Sequence, residues 1–164
     1  MLKFLKRGGR ATPTNIGSPP PLKLKTVLIL RAISGSGKTL FANTLKQLYP
    51  NTVIVSADDY FYDNDGNYNF CAAALGAAHG ACRRKFKEAV DSGAELVIVS
   101  NTNTEKSHWK YYEDYAKENG YVVHFLIIEN RHGGVNQHGG VNQHFVPQGT
   151  LEKQKRKILS SIQL

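Results

Sequence analysis

With 164 residues, 41% of them hydrophobic, the chain is long enough for one α/β domain of ordinary size, burying about two thirds of the surface its unfolded form exposes. Two cysteines, Cys71 and Cys82, form neither a disulfide framework nor a recognisable metal pair, so a reduced intracellular protein, cytoplasmic or nuclear, is the simpler reading. The net charge of +8 is concentrated at the ends: residues 1–25 hold six bases and no acid, and residues 151–164 hold four bases against Glu152, leaving −1 between them.

The nearly neutral middle argues against a basic face spread over the whole domain. The basic ends are either steering groups for a polyanion or solvated tails. No apolar run approaches the roughly 18 to 20 residues needed to cross a bilayer, and Met1 to Gly9 is too short and too basic for a secretory core. Neither membrane association nor secretion is expected.

Residues 1–22 contain Gly8, Gly9, Pro13, Gly17 and Pro19 to Pro21, a composition that cannot bury a core and reads as a disordered basic tail. It also permits an organellar transit peptide. The domain is expected over residues 23–164.

Lys25 to Arg31 is nearly continuous in apolar residues, as a buried parallel strand should be. The run Ala32-Ile33-Ser34-Gly35-Ser36-Gly37-Lys38-Thr39 follows and reads as a P-loop. A triphosphate needs converging backbone N–H groups, an ammonium near its outer phosphates and a hydroxyl for Mg²⁺. Gly35 and Gly37 allow close backbone approach, Lys38 supplies the charge and Thr39 the metal ligand, with Ser34 and Ser36 completing the cradle. Ala32 stands where the standard spacing has glycine, and its methyl would cost about 1 kcal/mol if the position required a positive φ. The competing reading is a glycine-rich βα turn without a ligand.

A helix is expected from Lys38 to Leu48, with Leu40, Phe41, Thr44, Leu45 and Leu48 on one side. A strand from Thr52 to Ala57 then delivers Asp58-Asp59-Tyr60 to the sheet edge where open α/β folds bind ligands. After a turn-rich stretch to Asn69, a long helix runs from Cys71 to Ser92, with Leu75, Ala78, Cys82, Phe86, Ala89 and Val90 at helical spacing. Its Arg83, Arg84, Lys85 and Lys87 form a solvated face or a phosphate contact.

Glu95 to Val99 is a third strand, ending in Ser100-Asn101-Thr102-Asn103. Thr102 and Glu105 have the spacing of a capping box for a helix in which Trp109, Tyr112, Tyr115 and Ala116 belong to the core rather than to a base-stacking platform. Tyr121 to Ile128 is a fourth strand. Four strand–helix alternations imply a parallel sheet with right-handed crossovers and helices on both faces. The repeat His132–Gln137 and His138–Gln143 reads as an extended surface loop rather than a metal site. A basic helix follows from Thr150 to Ile162, with Leu151, Ile158 and Ile162 able to dock on the body.

The succession of P-loop, Ser56-Ala57-Asp58-Asp59-Tyr60-Phe61, Ala78-His79 with Cys82, Ser100-Asn101-Thr102-Asn103 and Asn142-Gln143-His144-Phe145-Val146-Pro147 resembles the phage-type polynucleotide 5′-hydroxyl kinases. It is also similar to the P-loop kinase domains of ubiquitin-ligase-binding proteins and of myelin cyclic-nucleotide phosphodiesterase. The likeness covers roughly residues 25–160. It implies a kinase-like P-loop NTPase sandwich of three layers, with about four parallel strands, a lid near residues 129–149 and a C-terminal helix.

Carried over, the family pattern makes Lys38 the phosphate ligand, Thr39 the Mg²⁺ ligand and Asp58 the base that takes the acceptor's proton. A carboxylate at the neighbouring strand end suits that role, since positioning is most of what phosphoryl transfer requires. Asp59 either orients water on Mg²⁺ or caps the following turn. Asn101 and Asn103 either shape the acceptor side or cap the next helix.

The family's arginine after the base is Phe61 here, its acidic residue is Asn101, and the lid retains only Arg131. Lys153, Lys155 and Arg156 are further candidates to replace the lost arginines, each of which can contribute about 10³ to 10⁵ in rate. The expected function is an ATP- and Mg²⁺-dependent kinase acting on a DNA or RNA 5′-hydroxyl in nucleic-acid repair. The alternatives are a kinase for nucleosides, nucleotides or another small hydroxyl compound, and a non-catalytic nucleotide- or RNA-binding module.

Overall fold

Strands that are apolar along their whole length must be covered on both faces. In the computed structural model, which describes residues 22, 24–129 and 146–162, helices provide that cover. The elements are β1 (Thr26–Arg31), α1 (Lys38–Leu48), β2 (Thr52–Val55), α2 (Leu75–Asp91), β3 (Leu96–Val99), α3 (Lys106–Glu118), β4 (Val122–Ile127) and α4 (Gln148–Ser160). Short 3₁₀ turns occupy Asp58–Phe61 and Ala72–Ala74. The basic tail, the duplicated histidine-containing loop and Arg131 lie outside the described residues.

The strands form one parallel sheet in the order β2-β3-β1-β4. From β1 the chain travels outward to β2, then turns back through β3 and past β1 to β4. Under the right-handed crossover rule, opposite directions of travel place helices on opposite faces. The packing agrees. Leu30, Leu96 and Ile98 meet Ala42 of α1 on one face, whereas Val27, Ile29, Val97 and Val99 meet Phe86 of α2 and Tyr112 of α3 on the other. Adjacent strands β1 and β3 therefore send their connections to opposite faces, and a crevice opens between their C-terminal ends.

That crevice is stitched across its base. Ala32 N–H donates to the Thr102 carbonyl at 3.0 Å, and Asn103 Nδ2 donates to the Leu30 carbonyl at 2.8 Å. Arg31, only 6% exposed, donates from Nε to the Asn103 carbonyl, and from Nη2 to the Thr104 carbonyl and to Ser161 Oγ beyond α4. One buried guanidinium thus holds the end of β1, the start of α3 and the end of α4 together. Burial lowers its pKa from the ordinary arginine value.

Several expected details differ. The inward face of α1 is centred on Ala42, flanked by Phe41 and Leu45, while Leu40 is 74% exposed and Leu48 44% exposed. A small residue at the contact lets the helix lie close to the sheet, and the P-loop sets its rotation. The capping box does not form: α3 begins at Lys106, and its N-cap Glu105 makes no side-chain cap bond. Asn103 adopts a left-handed φ of 44°, which turns the chain into the β1 stitch; Glu105 instead pairs with Lys157 of α4 at 3.0 Å. The second strand stops at Val55, and α2 starts at Leu75 rather than Cys71. On α4, Ile158 is buried and Ile162 is 43% exposed.

Replacing Asn103 with alanine removes the bond to Leu30 and leaves a β-carbon in the left-handed region. Asn103→Ala is expected to lower unfolding free energy by about 1–3 kcal/mol, measured as a shifted urea midpoint with an unchanged slope.

Candidate active site

The crevice opens into a cavity of about 820 Å³ that takes in Ser34, Gly35, Gly37, Lys38, Thr39, Asp58 and Asn101. Its floor is the P-loop. Gly35 and Gly37 have φ values of 77° and 91°, so both need the freedom that only glycine has. Ala32 is buried and is not among the positive-φ residues, so its methyl brings no strain. Gly37 caps α1 without a side chain, and the first turn of α1 carries no acid. Its N–H groups and the helix dipole are thus left to an anion. Ser36 Oγ is buried with no hydrogen-bond partner among the described residues, an orphan polar atom in a phosphate-shaped cradle.

Lys38 is 8% exposed, and its Nζ donates to the Ile33 carbonyl at 2.9 Å. Burial pushes its ammonium down from 10.5 to about 8, with the charge of Asp58 opposing the shift. Asp58 begins the turn after β2, and the chain fixes it from both sides. Its N–H donates to Ser56 Oγ at 3.2 Å, while the preceding Ala57 N–H donates to Asn101 Oδ1 at 2.8 Å. Asn101 in turn faces Cys82 Sγ at 3.5 Å, which Tyr112 also contacts through its hydroxyl at 3.3 Å. The backbone that carries Asp58 is therefore positioned from the core of α2 and α3.

Thr39 lines the cavity at the first turn of α1 and offers the hydroxyl that Mg²⁺ takes in a P-loop. Together with nearby Asp58 and the orphaned cradle, this oxygen-donor set fits a metal that keeps most of its water and uses few protein ligands. Among the described residues no cluster of three or more His, Cys, Asp or Glu forms a self-contained metal site.

Not every anticipated site residue comes to the cavity. Asp59 points along α2 and pairs with Lys85 at 2.7 Å. Asn103 is 1% exposed and belongs to the β1 stitch. Lys153, Lys155 and Arg156 of α4 do not line the cavity, and among the described residues no arginine does. Arg131 lies outside the described residues.

Other residues take those places. Gln154 Oε1 of α4 accepts from Ser34 N–H at 2.9 Å, and its Nε2 approaches Ser34 Oγ at 3.4 Å. Its spacing of four residues from buried Ile158 was the available sign that it shares the docking face. Tyr68, Phe70, Leu75 and His79 form a wall beside Asp58. Burial, with help from Asp58, raises the Tyr68 phenol to about 12. Burial also lowers the His79 pKa, aided by His108 and Arg83 and opposed by Asp58.

No protein-family model matches the chain. Over 99 residues, 60% of its length, it is 38% identical to human NEDD4-binding protein 2, of which the match spans 6%. A chain in the structure of the Pnkp1/Rnl/Hen1 RNA repair complex superposes with a TM-score of 0.59 at 16% identity, covering 92% of this chain and 48% of that one. This chain has the P-loop kinase fold. A second structure of the Pnkp1/Rnl/Hen1 complex superposes with a TM-score of 0.53 at 18% identity, covering 79% of this chain and 38% of that one. The chain thus spans less than half of these relatives, and its likeness to the solved chains is one of fold. The expected three-layer architecture and the resemblance to P-loop kinases both hold.

A buried base with a lowered pKa makes the folded state more stable as pH rises from about 8 towards 10.5, because the cost of the buried ammonium is relieved. Phosphate binding requires that ammonium, so nucleotide affinity runs the opposite way. Calorimetry in buffers of different ionisation heat should show proton uptake on ATP binding near pH 8 that vanishes well below it. In Lys38→Arg the uptake should be absent, since a guanidinium stays protonated throughout this range.

Proposed function

We propose that this chain is an ATP- and Mg²⁺-dependent phosphotransferase that moves the γ-phosphate of ATP to the 5′-hydroxyl of a polynucleotide. The observation that carries the reading is the placement of Asp58. Asp58, whose backbone is fixed through Ser56 and Asn101, lines one cavity with Lys38, and in this reading the acceptor hydroxyl enters that cavity between them. The likeness to chains of an RNA repair complex supports a nucleic-acid acceptor.

In the proposed step, the P-loop N–H groups and Lys38 hold the outer phosphates, and Lys38 leaves its Ile33 carbonyl to do so. The Thr39 hydroxyl would hold Mg²⁺, which when bound would supply charge neutralisation at the phosphates. The acceptor oxygen forms a bond to the γ-phosphorus as the bond to the β–γ bridging oxygen breaks. The acceptor proton passes to Asp58, and the bond electrons leave on ADP. Because transfer passes through a loose transition state, alignment by Asp58 and charge neutralisation by Lys38 supply most of what the protein contributes.

Polyanion approach is supported by exposed Lys153, Lys155 and Arg156 on α4, beside the α4 residues that face the cavity. The α2 bases contribute less, since Lys85 pairs with Asp59 and Lys87 with Asp91. A second reading, a nucleotide-binding module without turnover, is favoured by Gln154, a neutral amide that reaches the P-loop from α4.

The test is transfer of label from γ-labelled ATP with Mg²⁺ to a 5′-hydroxyl oligonucleotide and, separately, to a panel of nucleosides. Labelled oligonucleotide is expected. Asp58→Asn should lower kcat by about 10²–10⁴, and Lys38→Ala by at least about 10². Label on nucleosides alone would overturn the polynucleotide assignment, and ATP binding without transfer to any acceptor would favour the non-catalytic module.

A further inference from the structure

The stretch between Tyr62 and Phe70, polar in sequence, is organised by one carboxylate. Asp63 accepts from the N–H groups of Asp65 and Asn67 at 3.0 and 2.8 Å, and from the side-chain amides of Asn67 and Asn69 at 3.2 Å each. These bonds hold its carboxyl below the usual carboxylate range. Asn69 N–H closes the loop by donating to the Phe61 carbonyl at 2.7 Å. Gly66, at φ 82°, makes the turn.

The loop holds two aromatic rings at the cavity. Phe61, 4% exposed in the core, meets Tyr68 edge-on with centroids 6.0 Å apart and Phe70 tilted at 5.1 Å. Phe70 nevertheless stays 56% exposed, and Leu75 beside it on the cavity wall 40%. A single exposed ring needs no explanation. Two tied-down rings and a leucine lining the same cavity as the Asp58 carboxylate do, because that cavity combines flat apolar surface with hydroxyl-directed chemistry. Phe61 occupies the position three residues after Asp58, so the wall is built on the same turn that positions the base.

We propose that Phe70, Tyr68 and Leu75 are specificity-determining residues, a platform on which the nucleobase of the acceptor's 5′-terminal nucleotide stacks while its 5′-hydroxyl meets Asp58. This rests on the kinase reading given above and narrows its acceptor to a base-bearing end, excluding sugar-only hydroxyl compounds. Stacking uses the face that every base has, so the platform accepts any base while rejecting an end that has none. Its place in the fold assigns it to the acceptor: Tyr68 and Phe70 rest on Phe61, which lies in the turn that Asp58 begins.

The experiment compares a 5′-hydroxyl oligonucleotide with the same strand carrying an abasic 5′-terminal sugar, in both kinase assays and equilibrium binding by fluorescence anisotropy with ADP present. The wild-type chain is expected to prefer the base-bearing end by about five- to a hundred-fold in KM and Kd. Phe70→Ala should lose that preference, Phe70→Trp should keep it, and KM for ATP should be unmoved by either. The losses from Phe70→Ala and from the abasic end should not add, as expected when both remove one contact. Thermal unfolding of Phe70→Ala checks that the fold is intact.

Equal binding of the two ends by the wild-type chain, or a raised KM for ATP in place of the oligonucleotide in Phe70→Ala, would overturn the platform. Transfer that ignores both changes overturns the platform and leaves the kinase reading standing. Base-dependent binding without transfer to any acceptor supports the platform and overturns the kinase reading.

Discussion

The fold depends on the stitch between the ends of β1 and β3. Two adjacent parallel strands whose connections leave to opposite faces open a crevice, and the chain must hold its walls at a fixed separation for the crevice to serve as a site. Arg31, Asn103 and the Ala32–Thr102 bond do this with backbone carbonyls as partners. A buried guanidinium left without these acceptors would be strongly destabilising. The P-loop grows from one side of the stitch and Asn101 from the other, so cradle and base share one rigid frame.

Electrostatics in that frame centre on Lys38. Its ammonium is buried, bonded to a carbonyl of its own loop, and close enough to Asp58 for the carboxylate to oppose its deprotonation. A triphosphate entering the cradle supplies the negative charge that burial leaves the ammonium short of. In the proposed reaction, nucleotide binding thereby restores the cation that transfer needs. The P-loop contact of Gln154 also has to accommodate the incoming phosphates, which links the seat of α4 to the state of the cradle.

Much of this was legible in the residues because the signals were local. The four strands and the glycine-dependent P-loop follow from patterns a few residues long, and Gly35 and Gly37 both have positive φ. Asn103 was misread because its partner, the Leu30 carbonyl, is 73 residues away; no spacing rule distinguishes a capping asparagine from a stitching one. The inward face of α1 was misjudged because the P-loop, and not the richest apolar stripe, sets the helix rotation. Phe61, read as the loss of an arginine, is also the buried ring beneath Tyr68 and Phe70. That second role is visible only once the Asp63-centred loop is in place.

In the proposed reaction one cavity brings an acceptor hydroxyl to Asp58 in line with a phosphate held by Lys38. The most direct measurement is a crystal structure of the chain with a non-hydrolysable ATP analogue, Mg²⁺ and a 5′-hydroxyl dinucleotide. The 5′ oxygen should lie about 2.6–3.2 Å from an Asp58 oxygen, with the terminal phosphate on Lys38 and the first base against Phe70. A dinucleotide bound elsewhere on the surface, or an Asp58 carboxylate turned away from the 5′ oxygen, would contradict it.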